Sequence, residues 1–266
     1  MEIVTETVNS WYEFIKLGEK LSRQGWAFRG QSDASWPITS TLGRYLAQYV
    51  PESKWEEREQ RSIKVFRRKA HYFLADPSAL DDTLRCLALM QHHGAPTRLI
   101  DFSKSPFVAA YFALERATDD AAVYAINTPN LWHSATPKGF KELNRKAISP
   151  RIMDNFKNYF FSNKYPIIWP GEPYFMDRRS VSQSGTFVLP GMLGKSVNEI
   201  LSQYESDDPL LIKIILAKNL RTESMEGLYR MNITNATLFP GLDGLAKSIA
   251  GELEMVWAGQ KPDNSG

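Results

Sequence analysis

Between Ser105 and Ile126 the chain sets a capped helix directly ahead of an apolar strand, and this pairing restricts its possible folds more than any other feature. Ser105 can accept from the free amides of a first helical turn, Pro106 fits that turn, and Val108, Ala109, Phe112 and Ala113 form one apolar stripe to Arg116. A short connection then leads to a strand, Ala122-Val123-Tyr124-Ala125-Ile126. A helix that feeds a sheet so directly packs on it. Two more strands are predicted: Thr186–Leu189, ended by Pro190-Gly191, and Leu210–Leu216, apolar enough for burial on both faces.

Helical spacing recurs elsewhere. Trp11, Phe14, Leu17 and Leu21 mark one face of an opening helix, and Ile63, Phe66, Ala70 and Phe73 mark another within Glu52–Leu74. A helix from Asp82 to Gln91 stops near Gly94 and Pro96. Trp26-Ala27-Phe28-Arg29-Gly30 alternates as a short half-buried strand, and a polar loop follows from Gln31 to Thr41. The stretch from Asn127 to Asp177 has weak periodicity, many prolines and many aromatics, which predicts ordered but irregular structure. Helical spacing resumes from Leu220. The fold class that emerges is α+β, with a central, mostly antiparallel sheet flanked by helices.

At about 150 residues per domain, a chain of 266 residues gives one large domain or two small ones. No internal boundary is evident, so one domain is expected over residues 1–256, with a polar tail at 257–266. Lys and Arg total 32 against 30 Asp and Glu, which gives no electrostatic case for a dedicated duplex nucleic-acid binder. The only local argument for one is Lys64, Arg67, Arg68 and Lys69, a set that more simply forms a solvated helix face. A nuclease would also need an acidic magnesium cluster, which is not evident. Cys86 is the sole cysteine, so neither an intramolecular disulfide nor a thiolate zinc cluster can form. The amino terminus lacks a signal-peptide core, and no apolar run approaches the roughly 20 residues that span a bilayer. These features predict a soluble cytoplasmic protein with no membrane partner.

Phosphate loops of the Walker type, G-x-G-x-x-G, G-x-S-x-G and H-E-x-x-H are all absent, and the four histidines lack metal-ligand spacing, so no metal is expected. Three polar segments stand out instead. In Phe28-Arg29-Gly30-Gln31 a cation at a strand end precedes a glycine that permits close backbone approach, a place where an Arg fork can hold phosphate or carboxylate. The run from Gln91 to Ser105 contains His92, Gly94, Thr97, Arg98, Asp101 and Ser103 and ends at a helix start. The third runs from Arg178-Arg179 through Gln183 into a strand. Each residue has a structural alternative: an Arg29–Asp101 ion pair, helix capping by Ser103 and Ser105, loop-amide bonding by Asp101, backbone satisfaction by Gln183, turn formation by Gly94, and packing by Tyr111 and Phe112.

Phe28-Arg29-Gly30, the block from Gln91-His92-His93-Gly94 to Ala113, Gln183-x-Gly185-x-Phe187 and the segment Leu238–Gly244 together resemble the FRG domain, a bacterial family named for its Phe-Arg-Gly tripeptide. The single domain over 1–256 is accordingly expected to be of FRG type. More distantly, Asp101-Phe102-Ser103-Lys104-Ser105-Pro106 and the helix after it resemble the Ser-Thr-Ser segment of ADP-ribosyltransferases. That superfamily completes its NAD site with an Arg on an earlier strand and a Glu-bearing turn on a later one. Arg29, Ser103 and Gln183 occur in that order, but Gln183-Ser184-Gly185 stands where the glutamate belongs.

This second resemblance implies a split, ADP-ribosyltransferase-like sheet and an NAD-using transferase or NAD-cleaving enzyme, by family analogy a toxin or phage-defence effector. Arg29, Asp101, Ser103 and Gln183 would be catalytic. Arg29, Gly30, Gln31, Gln91, His92, Gly94, Thr97, Arg98, Ser105 and Tyr111 would bind NAD, the substrate. Asp101, or a carboxylate from elsewhere, would stabilise the oxocarbenium-like cation. The alternative expectation is a non-catalytic module that binds a nucleotide or partner in the same cleft.

Overall fold

A computed structural model describes residues 3–255; Met1, Glu2 and the tail expected at 257–266 lie outside the described residues. The strands are β1 (Val4–Val8), β2 (Ala27–Gln31), β3 (Ile100–Ser103), β4 (Ala121–Ile126), β5 (Thr136–Pro137), β6 (Ile168–Gly171), β7 (Gly185–Pro190), β8 (Tyr204–Glu205) and β9 (Leu211–Leu216). The helices are α1 (Trp11–Arg23), α2 (Thr41–Tyr49), α3 (Trp55–Ala70), α4 (Thr83–His92), α5 (Pro106–Leu114), α6 (Thr128–His133), α7 (Arg178–Ser182), α8 (Val197–Leu201), α9 (Arg221–Arg230), α10 (Asn235–Leu238) and α11 (Leu242–Met255).

Among the described residues a seven-stranded open sheet runs in the order β1-β9-β4-β2-β3-β7-β6, and a two-stranded ribbon pairs β5 with β8. Every neighbouring pair in the large sheet is antiparallel except β1 with β9. All six residues of β4 are buried, as a strand flanked by β9 and β2 and covered on both faces requires. The predicted double burial of Leu210–Leu216 is incomplete: Ile212, Lys213 and Ile215 stay partly open. The reason lies next door, where β1 is an edge strand with Thr5, Glu6 and Thr7 exposed.

The Ser105 side chain accepts from the Val108 amide at 3.3 Å and starts α5, in which only Phe107 and Phe112 are not fully buried. With α1, α5 covers one face of the sheet, where Trp11, Phe14, Leu21, Phe28, Val123 and Ile214 share a core with Leu228 of α9. On the opposite face Ile38, Ile100, Phe102, Tyr124 and Val188 pack with Val197 and Ile200 of α8. A third core joins α3 and α4 to Trp169, Phe187 and Leu189 at the β6–β7 end. Each large side chain fully withdrawn from water there contributes roughly 1.5–3 kcal/mol.

One join in the sheet is incomplete. β2 and β3 share a single residue pair, Phe28 with Ser103, whereas β2 pairs with β4 along its whole length. Beyond that pair the two strands part. Gly30 lies at the opening, where a Cβ would fall on the Ala109 carbonyl oxygen and press on the Ala113 amide nitrogen. The glycine is what lets the backbone of β2 lie directly on α5.

Candidate functional site

A hollow of about 250 Å³ opens where β2 and β3 diverge. Phe28, Phe102, Val108, Ala109 and Phe112 supply its apolar wall, and Arg29, Asp101, Ser103, Arg179 and Gln183 its polar groups. Three segments far apart in sequence thus meet around one space. Its size lies just under the roughly 300–1,000 Å³ usual for ligand clefts.

Arg29 reaches across the gap between the strands. Its Nη1 donates to the main-chain carbonyl of Asp101 at 2.8 Å, so the guanidinium takes the place of a ladder hydrogen bond that the parted backbones cannot make. Its Nε is buried with no hydrogen-bond partner among the described residues. Burial lowers the Arg29 pKa, the nearby Asp101 opposes this, and Arg44 reinforces it. No Arg29–Asp101 carboxylate pair forms within 4.0 Å. The Asp101 carboxylate instead accepts from Gln91 Nε2 at 2.7 Å, and Gln91 Oε1 accepts from Thr97 Oγ1.

Ser103 is a junction. Its hydroxyl donates to the Gln183 carbonyl at 2.7 Å and accepts from the Ser105 amide at 3.0 Å, tying β3 to the start of α5 and to the α7–β7 turn. The Gln183 side chain donates to the Leu238 carbonyl at 3.1 Å, so its amide fixes the turn to α10. Ser184 completes that turn with a left-handed φ of 48°.

Arg179, on α7, was in a segment marked by its polarity but was not among the residues predicted to act. It lines the hollow with its guanidinium 4.6 Å from the centre of the Phe239 ring, and that guanidinium donates no hydrogen bond to another described residue. Asp177 holds α7 in place by accepting from the Ser180 amide at 2.9 Å and the Ser180 hydroxyl at 2.7 Å. Burial alone would raise the Asp177 pKa, but the bonds from Ser180 and the neighbouring His92 outweigh it and hold the carboxyl below its ordinary range. His92 Nδ1 lies 3.1 Å from Asp177 Oδ1, which makes His92 a brace for α7 and not a wall of the hollow.

The other predicted residues fall into two groups. Gln91 and Ser105 support the hollow through Asp101 and Ser103 without lining it. Gln31, Gly94, Thr97, Arg98 and Tyr111 lie away from it. Arg98 is wholly buried: its Nε donates to Glu59 Oε1 at 2.6 Å, its Nη2 to Glu59 Oε2, and its Nη1 to the Pro190 carbonyl at 2.9 Å. Gln31 is buried and donates to the Pro37 carbonyl at 3.3 Å. Gly94 takes a φ of 84° in the turn that ends α4. Tyr111 faces α9 and α10, where burial pushes its hydroxyl pKa up, and its neighbour Phe112 is the aromatic that reaches the hollow.

Two guanidinium groups and one carboxylate around a small space give it a net positive character suited to an oxyanion. Among the described residues no group of His, Cys, Asp and Glu side chains could hold a metal ion, and no helix is long and apolar enough to cross a membrane.

No curated protein and no solved structure matches the chain significantly. Among protein families, the model described as the FRG domain matches residues 24–122. That stretch supplies Arg29, Asp101, Ser103 and the apolar wall of α5, while Arg179 and Gln183 come from beyond it. Residues 24–122 are thus similar to the FRG domain, in keeping with the resemblance carried by Phe28-Arg29-Gly30.

Proposed function

We propose that the hollow between β2 and β3 binds the phosphate of a nucleotide-class ligand through Arg29 and Arg179. The observation that carries this reading is the convergence of both guanidinium groups on one partly apolar space in which Asp101 is the sole carboxylate of the lining. An Arg fork suits phosphate because its planar donors match two oxygens at once. A space of about 250 Å³ takes a phosphate with its sugar, not a whole dinucleotide, so the rest of a larger ligand would lie along the open surface.

A second reading, NAD cleavage or ADP-ribosyl transfer, is favoured by the position of Asp101. Breaking the bond from nicotinamide to ribose builds positive charge on the sugar, and a carboxylate at the mouth of the hollow would stabilise it electrostatically. Asp101 would then do the work of the glutamate missing from Gln183-Ser184-Gly185. This reading carries with it the toxin or phage-defence role that the resemblance implies.

Calorimetry with NAD and with ADP-ribose tests both. Saturable binding that falls at least about tenfold in Arg179→Ala, the loss of one charge-assisted bond, supports the phosphate site. Absence of binding at millimolar ligand overturns it. A time course of free nicotinamide then separates the readings: turnover that disappears in Asp101→Asn, with ligand still bound, supports catalysis, and binding without turnover assigns the domain to recognition alone.

A further inference from the structure

A second cleft, of about 420 Å³, lies at the other end of the β2–β3 pair, beside Trp26, Lys104 and the segment that leads to β6. Arg145 and Arg151 project into it from the irregular segment ahead of β6, and Trp132 forms one wall. The Arg145 guanidinium lies 3.4 Å from the centre of the Trp132 ring, and its Nε donates to the Pro170 carbonyl at 3.0 Å. Stacking and this hydrogen bond fix the plane of the group. Neither of its Nη groups donates to another described residue.

The charges in the cleft are unbalanced. Glu172 is the one carboxylate on its lining, and its Oε1 lies 2.7 Å from Lys104 Nζ. Arg151 reaches only the main-chain carbonyl of Glu172 and rests 4.5 Å from the centre of the Tyr174 ring. Burial, reinforced by repulsion from Arg151 and opposed by Glu172, brings the Arg145 pKa down to about 10. Lys104, Arg145 and Arg151 against the single carboxylate of Glu172 leave an excess of positive charge that a bound anion would offset. The volume falls within the range of small-ligand clefts, and Trp132, 44 % exposed and with one face taken by Arg145, borders it.

We propose that this cleft is a phosphate site separate from the hollow, taking a phosphate monoester of nucleoside-monophosphate size with its phosphate on Arg145 and Arg151 and its base beside Trp132. The hollow and the cleft share no lining residue.

Adenosine monophosphate titrated by calorimetry into full-length Arg179→Ala, in which binding in the hollow is weakened, tests the proposal. Binding with one-to-one stoichiometry and quenching of tryptophan fluorescence are expected. Adding Arg151→Gln, an exposed position whose change leaves the core intact, should weaken this binding at least about tenfold. Inorganic phosphate should compete, and more weakly than the monophosphate binds. The proposal is overturned if Arg179→Ala binds no adenosine monophosphate at millimolar concentration, if adding Arg151→Gln leaves the affinity unchanged, or if inorganic phosphate fails to compete.

Discussion

Arg29 binds the backbone of Asp101 and leaves its carboxylate to Gln91. The arginine of the Phe-Arg-Gly tripeptide therefore spans the parted strands and also lines the hollow, so under the proposed phosphate reading it would serve structure and ligand together. Arg29→Lys keeps the charge but not the reach or the fork. It is expected to destabilise the fold by about 1.5–3 kcal/mol, the worth of a hydrogen bond from a charged donor, and to weaken anion binding. Urea unfolding and calorimetry on the same variant measure the two effects.

Gly30→Ala is expected to be more damaging than a glycine-to-alanine change in an ordinary strand. The added methyl meets the α5 backbone at Ala109 and Ala113, which cannot move aside as a side-chain tip can. Separating β2 from α5 is expected to cost about 3 kcal/mol or more, the upper end for overpacking. A fall in urea midpoint with an unchanged slope would show it.

The buried pair of Arg98 and Glu59 predicts a large loss on removal of one partner. Glu59→Ala leaves the Arg98 cation fully enclosed with only the Pro190 carbonyl, at an expected cost of about 3–5 kcal/mol. Replacing both residues with apolar ones of similar size should recover much of that stability, as thermal unfolding of the single and double variants would reveal.

Asp177 links acidity to the site. Its pKa is held below the ordinary value, so its stabilisation is fully present above about pH 4 and is lost as the pH falls through the folded-state pKa. In that acid window α7 loses its cap and Arg179 its anchored position. Asp177→Asn, which keeps a capping side chain but not the charge, should make stability less dependent on pH below about 4, measured as urea midpoints from pH 6 to pH 3.

The central elements were legible in the sequence for identifiable reasons. Ser105 and Pro106 announce α5, and the unbroken apolar run of β4 has no polar face to confuse its reading. β1 escaped notice because Thr5, Glu6 and Thr7 are exposed and leave almost no apolar signal. β6 was hidden in its Trp169-Pro170-Gly171, residues that read as a turn and are tolerated here at the edge of the sheet.

The site divides in the same way. Arg29, Gly30, Asp101, Ser103 and Gln183 sit on strands and turns whose ends were marked, and they meet as their order suggested. Arg98 was misjudged because its partner Glu59 lies on a different helix, where only packing reveals the pairing. Tyr111 and Phe112 differ by one step of helix rotation, which sequence spacing alone did not resolve.

The parallel pairing of β1 with β9 joins residues about 200 positions apart, Val4 against Ile212 and Val8 against Leu216. A contact of such separation must close a very long loop before it returns any stabilisation. On a ribosome, β1 therefore has to wait for its partner until about 200 further residues have been made. Synthesis interrupted before β9 would leave an unmatched edge, a species prone to self-association, and β1 can dock only once β9 is in place.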